Sequence, residues 1–158
     1  PGVILGAGIW RYGTGSLFKK ARKGITYFTK GTIGLIAVED VLSIITALMN
    51  SNIINQRYVL VAENWTYKKF LYHLALSVKQ KPPKKCALDF LLAIGWRLDW
   101  LRHKLTGKRR QLTKHLAKSV STESYYDNTK IKEALDFSFK NIEESITEIG
   151  NHYLKQDQ

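Results

Sequence analysis

The chain has 158 residues with 44 % hydrophobic side chains, enough for one ordinary domain with its own core and too apolar for disorder by composition. A single cysteine, Cys86, excludes an internal disulfide and fits a reducing cytosol; with only four scattered histidines beside it, a zinc cluster is excluded as well. The net charge of +12 is read first as a solvated surface, with phosphate-bearing ligands or an anionic membrane surface as the functional readings; nucleic acid is not expected.

Pro1 to Leu5 suits the back half of a buried parallel strand, running into a Gly-rich loop over Gly6 to Gly15. A chain that opens inside a strand reads as a piece of a larger α/β protein, cut within its sheet. Ser16 to Lys23 predicts a short helix, with Ser16 as N-cap and Gly24 as its stop. Thr26 to Val38 is β-rich, with a turn at Lys30-Gly31-Thr32. Asp40 to Met49 predicts a helix with Val41, Ile44, Ile45, Leu48 and Met49 inward. The apolar stretch from Ile33 to Met49 carries Glu39 and Asp40 and is too short to span a bilayer.

Arg57 to Ala62 predicts a strand, and a helix follows from Trp65-Thr66 with Phe70, Leu71, Leu74, Ala75 and Val78 inward, ended by Pro82-Pro83. Residues 86–105 predict a long helix with Ile94, Leu98, Leu101 and Leu105 on one stripe, followed by a basic break from Gly107 to Arg110 and a further helix over 112–119. Ser124-Tyr125-Tyr126 reads as extended. Asp127-Asn128-Thr129 offers caps for a helix over Lys130 to Leu135, and a last helix carries Ile142, Ile146, Ile149 and Tyr153 on one face. Strands alternating with helices imply a parallel sheet, and the strands are too few to manage both edges.

Most chemical motifs have a plainer reading. Gly6-x-Gly8 lacks the third glycine of a dinucleotide loop, since position 11 is Arg. Tyr126-x-x-x-Lys130 has the spacing of a Tyr–Lys catalytic pair, but the capping residues between them place Tyr126 ahead of the helix, so the match reads as coincidence. Glu39-Asp40 suits the positive end of a helix dipole. Asn64-Trp65-Thr66 fits a glycosylation sequon and reads better as a helix start. The tract Trp96, Arg97, Trp100, Arg102, His103, Lys104 and Lys108-Arg109-Arg110 mixes aromatic rings with cations. A helix with one core face and one solvated basic face accounts for it; contact with an anionic membrane is the sharper reading.

Four segments, in order, resemble the C-terminal half of the extended short-chain dehydrogenase/reductase family, also called the NAD-dependent epimerase/dehydratase family. Pro1 to Gly8 resembles the segment after that family's sixth strand. Gly34-Leu35-Ile36-Ala37-Val38-Glu39-Asp40-Val41 resembles its His-Val-x-Asp-Val junction, with Ala37 where His is usual. Tyr58 to Ala62, with Trp65 and Lys68, resembles the next strand and the substrate-domain helix. Asp127-Asn128-Thr129-Lys130 with Glu133-Ala134-Leu135 resembles its late Asp-Asn-Ser-Lys signature, and the Ile142 helix sits where the family closes.

The resemblance covers nearly the whole chain. It implies an α/β fold: a fragment of a Rossmann-type parallel sheet plus a mostly helical substrate domain over 1–158, with the dinucleotide-binding domain absent from this chain. The intact protein is then a cytoplasmic oxidoreductase or epimerase using NAD or NADP on a small carbonyl or hydroxyl substrate. Catalytic residues and metal ligands are expected to be absent from this chain. Pro1, Gly2 and Val3 are expected beside the nicotinamide, and Trp10, Arg11, Tyr12, Ser16, Phe18 and Lys19 on the loop and helix that roof the substrate. Ile33 stands where nucleotide-sugar epimerases usually carry an Arg that grips the diphosphate. That position, with the segments Lys81-Pro82-Pro83 and Gln111-Leu112-Thr113, favours the dihydroflavonol-reductase and hydroxysteroid-dehydrogenase branch, while a nucleotide sugar stays open. Expected partners are the small-molecule substrate and the N-terminal Rossmann half, with a homo-oligomer left open and a membrane not expected. The reading from another class is a free-standing basic α/β module that binds an anionic membrane surface or an acidic partner through residues 96–110.

Overall fold

The computed structural model describes residues 1–87, 89–107 and 113–156. In chain order the elements are β1 (Val3–Leu5), α1 (Gly15–Arg22), β2 (Tyr27–Phe28), β3 (Thr32–Ala37), α2 (Val38–Met49), β4 (Glu63–Thr66), α3 (Tyr67–Ser77), β5 (Lys85–Cys86), α4 (Asp89–Thr106), α5 (Lys114–Ser119), α6 (Thr129–Leu135) and α7 (Ile142–Gln156). The fold is α/β. One sheet runs β1-β3-β4, and a small second one pairs β2 with β5.

β1 lies parallel to β3, with Ile4 opposite Ile36, and β4 lies antiparallel to β3, with Gly34 opposite Asn64. The main sheet is therefore mixed, where strand–helix alternation predicted a parallel one. β3 is buried along its whole length, as its run of apolar residues requires. Ile33 and Leu35 join Leu5 and Trp65 in a core with Phe18 and Ala21 of α1, Phe70 and Leu74 of α3, and Ile142, Ile146, Ile149 and Tyr153 of α7. Between those residues of β3, Gly34 comes against Val61 and Tyr126. Helices α3 and α7 cross so closely that a side chain on Gly150 would meet Ser77 at 2.4 Å.

The α7 stripe and the inward set of α3 are as their spacing predicts, except that Leu71 is only half-buried. Other expectations need correction. Residues 57–61 form no strand. Their bonds are single ones: Leu60 O accepts from Gly2 N, while next along the chain Ala62 N donates to Leu35 O, each at 2.8 Å. The strand is β4, four residues that β3 recruits by ladder pairing despite their weak β-propensity.

α1 starts at Gly15 with Thr14 at its cap; Ser16 is inside it, and its hydroxyl donates to Gly13 O at 2.7 Å. Gly24, at φ +95°, does sit where the helix stops. α2 begins two residues early, at Val38, and buries Val41 and Ile44 while Ile45 and Met49 stay exposed. Asn64 does not start α3; Thr66 caps it, its hydroxyl accepting from Lys69 N at 3.2 Å. That helix ends at Ser77, before the prolines, because Lys79 turns left-handed at φ 57°. The α4 stripe of Ile94, Leu98, Leu101 and Leu105 is exposed. The basic break at Lys108, Arg109 and Arg110, and the predicted helix start at Leu112, lie outside the described residues.

Candidate functional site

A cleft of about 480 Å³ opens where the N-terminal segment meets the middle of the sheet. Pro1, Gly2 and Val3 form one wall and Thr32, Ile33 and Gly34 of β3 the floor. Tyr58, Val59 and Val61 line it next to Gly2, and Tyr67, Ser119 and Tyr126 complete the rim. Each wall is held in place. Gly2 N is tied to Leu60 O, and a side chain on Gly2 would meet Gly34 O at 2.5 Å. That glycine is therefore required by backbone packing, and its N–H is already engaged.

The rim is fastened by side chains that act as backbone surrogates. Asn64 pairs with Tyr126 twice, its amide donating to Tyr126 O at 2.9 Å and its carbonyl accepting from Tyr126 N at 3.0 Å. Thr32 does the same for Ser124, with Oγ1 donating to Ser124 O and accepting from Ser124 N, each at 2.6 Å. The Asn128 amide donates to Val61 O at 2.7 Å and to Ala62 O at 3.1 Å. These three contacts bring residues 124–128 onto the segments 32 and 61–64, far away in sequence.

No acidic or basic side chain lines the cleft among the described residues. Its polar equipment is hydroxyl groups. Burial, and secondarily the neighbouring Tyr126, raises the Tyr67 phenol above its ordinary value, so at neutral pH it is a hydrogen-bond donor and not a base. Lys130 does not serve Tyr126 as the spacing allowed. Its Nζ donates to Gln56 Oε1 at 2.8 Å and to Arg57 O at 3.2 Å, and lies 5.1 Å from the centre of the Tyr58 ring. A cleft whose described lining side chains carry hydroxyls and no charge can orient a neutral ligand by donated hydrogen bonds; those side chains make no nucleophile–base pair.

The six residues expected at a substrate roof divide into two groups, and none of them lines this cleft. Phe18 is a core residue, and Trp10 packs edge-on against it and against Tyr153, ring centroids 6.0 and 5.0 Å apart, while its indole N–H donates to Gln156. Arg11, Tyr12 and Lys19 are exposed, and Ser16 is half-buried. The tyrosines of the cleft escaped the sequence reading as ligand contacts. By sequence Tyr58 reads as a strand residue, Tyr126 stands out only for a coincidental spacing, and nothing local marks Tyr67.

A broader depression of about 600 Å³ lies beside Glu63, Lys132 and Lys140. Two of its charges are committed: Glu63 accepts from Ile142 N and the Trp65 indole, and Lys140 pairs with Glu148. Among the described residues no three His, Cys, Asp or Glu side chains gather as metal ligands, and no helix is long and apolar enough to cross a membrane.

No protein-family model matches the chain, and no curated protein does. Solved structures do. The structure of gox2253 superposes with a TM-score of 0.73 at 14 % identity, over 99 % of this chain and 48 % of its own. PA4631, a nucleoside-diphosphate-sugar epimerase from Pseudomonas aeruginosa, gives 0.73 at 17 % identity over 99 % and 46 %. The Bordetella bronchiseptica enzyme WbmG, solved with NAD and UDP, gives 0.60 at 10 % identity over 99 % and 43 %. The chain shares their fold. It spans less than half the length of each.

Proposed function

We propose that this chain is the C-terminal, substrate-binding part of an NAD(P)-dependent oxidoreductase or epimerase of the extended short-chain dehydrogenase/reductase class, acting on a small carbonyl or hydroxyl compound. The observation that carries the reading is the superposition of 99 % of the chain on less than half of each solved structure, a nucleoside-diphosphate-sugar epimerase and an NAD-bound enzyme among them. The mixed sheet with β1 at its edge is consistent with further strands belonging to an N-terminal Rossmann half.

In this reading the cofactor carries hydride to or from the substrate carbon, and the Gly-rich phosphate turn and catalytic Tyr–Lys pair belong to the Rossmann half. Pro1, Gly2 and Val3 wall the nicotinamide by shape; the Gly2 N–H, taken by Leu60, donates nothing to it. The hydroxyls of Tyr67 and Tyr126 orient the substrate in the cleft, which Arg11, Tyr12 and Lys19 do not line. The absence of a charged side chain among the described lining residues, with Ile33 on the floor, favours a neutral carbonyl compound over a nucleoside diphosphate.

The test is titration of the intact protein with NADH and NADPH against a panel of carbonyl compounds and nucleotide sugars. Turnover is expected with a neutral carbonyl substrate, and none from the 158-residue chain alone. An intact protein whose upstream sequence has neither a dinucleotide loop nor a Tyr-x-x-x-Lys pair, and which binds neither cofactor, would rule the reading out.

A further inference from the structure

α4 stands apart from the core. Among the described residues its main packing is against α5, and the stripe that its spacing marks as apolar faces outward. Ile94 is 39 % exposed, Leu98 60 %, Leu101 46 % and Leu105 76 %. At 100° per residue these four fall within about 60° of one another, and they run along roughly 17 Å of helix. Arg97 and Lys104 border the stripe on one side and Arg102 on the other. Trp96 and Trp100 project from the side of the helix away from the stripe, with Arg97 4.6 Å from the Trp96 ring centre and Lys104 5.5 Å from that of Trp100. α5 adds an exposed Leu116 between the exposed Lys114 and Lys118. Between the two helices the sequence supplies Lys108, Arg109 and Arg110, and from Ala93 to Val120 the sole acidic residue is Asp99.

We infer that α4 and α5 dock the protein on an anionic membrane surface, with α4 lying flat at the headgroup level. A narrow leucine stripe with cations on both flanks matches that environment: the apolar side chains enter the acyl boundary and the long cationic ones reach back to acidic headgroups. The charge decides among occupants. A second copy would bring the same cations against this face, and like charges brought together oppose association. Acidic lipid offers the opposite sign along the whole length. Helix α4, at 18 residues, is not apolar enough to cross the bilayer, in keeping with a surface position.

The experiment is co-sedimentation of the intact protein with phosphatidylcholine vesicles, with and without about one-third phosphatidylserine. Binding is expected with the anionic vesicles and is expected to fall in high salt. Replacing Arg97 and Lys104 together by Gln should lower partitioning roughly thirtyfold, at about fivefold per charge. Leu98→Glu with Leu101→Glu should abolish it, while the circular dichroism spectrum stays that of the parent because both side chains are exposed. Failure to bind anionic vesicles, equal binding to neutral ones, binding indifferent to both variants, or a self-association that Leu98→Glu disrupts would each overturn the inference. None of these readings depends on turnover, so the result is independent of the proposed activity.

Discussion

Two aspartates carry opposite signs in the response of this protein to pH. Asp40 is buried in the first turn of α2, where burial raises its carboxyl above the ordinary value against the pull of the hydrogen bond it accepts from Lys140 N at 3.0 Å. A carboxyl with a folded pKa above its unfolded one binds its proton more tightly in the native state. The stability associated with it therefore declines as pH rises from the ordinary carboxylate value through the raised one, and is level beyond. Asp40→Asn keeps an acceptor for Lys140 N and removes the charge, so urea titrations between about pH 4 and 7 should lose that decline. Asp40→Ala leaves the amide unpaired and should cost about 1–3 kcal/mol at low pH and less above the raised value, where the charged carboxylate has already weakened the parent. Asp127 behaves the other way. Its exposed carboxylate is held below the usual range by the Thr129 hydroxyl and N–H, so its contribution is present at neutral pH and lost on acidification. The sequence placed both near helix starts, correctly. That Asp40 reaches Lys140, and that Asn64 pairs with Tyr126, was not legible, because a hydrogen bond across 62 or 100 residues leaves no local pattern.

Among the elements, α4 and α7 show the same periodicity and opposite fates. A 3.6-residue repeat says that one face is apolar; it does not say what covers that face. α7 finds α3, β3 and β1, whereas the stripe of α4 stays open. Thermal or urea unfolding should separate the two directly. Ile146→Ala, in the core, is expected to cost about 2–5 kcal/mol, and Leu98→Ser with Leu101→Ser less than about 1 kcal/mol. Gly150→Ala should cost about 1–3 kcal/mol although it adds only a methyl group, since that methyl meets Ser77 on α3 at 2.4 Å with both backbones fixed. The strand that the sequence misplaced follows the same logic. Tyr58-Val59-Leu60-Val61 has the better β-formers, but Glu63–Thr66 has the partner, and pairing outranks propensity in a short strand.

At the scale of the molecule, β3 is flanked on both sides and β1 on one. Hydrogen exchange of the 158-residue chain should show β3 amides as the slowest and β1 faster by about tenfold or more. In the intact protein, β1 amides slowing to the level of β3 would indicate a further strand on that side, and unchanged exchange would argue against one. The α/β class and the helical character of the second half were readable from alternation and spacing. The cleft was not, because its walls come from residues 1–3, 32–34, 58–61, 67, 119 and 126, and only a completed chain brings them together. The same architecture sets the timing of assembly on the ribosome. α3 waits for its partner α7 until translation has moved 65 codons further, from Ser77 to Ile142, about 3–13 s at ordinary elongation rates. For that interval α3 has only elements made earlier, α1 and β4 among them, beside it and lacks the cover of α7, so the nascent polypeptide is a natural client for holding chaperones.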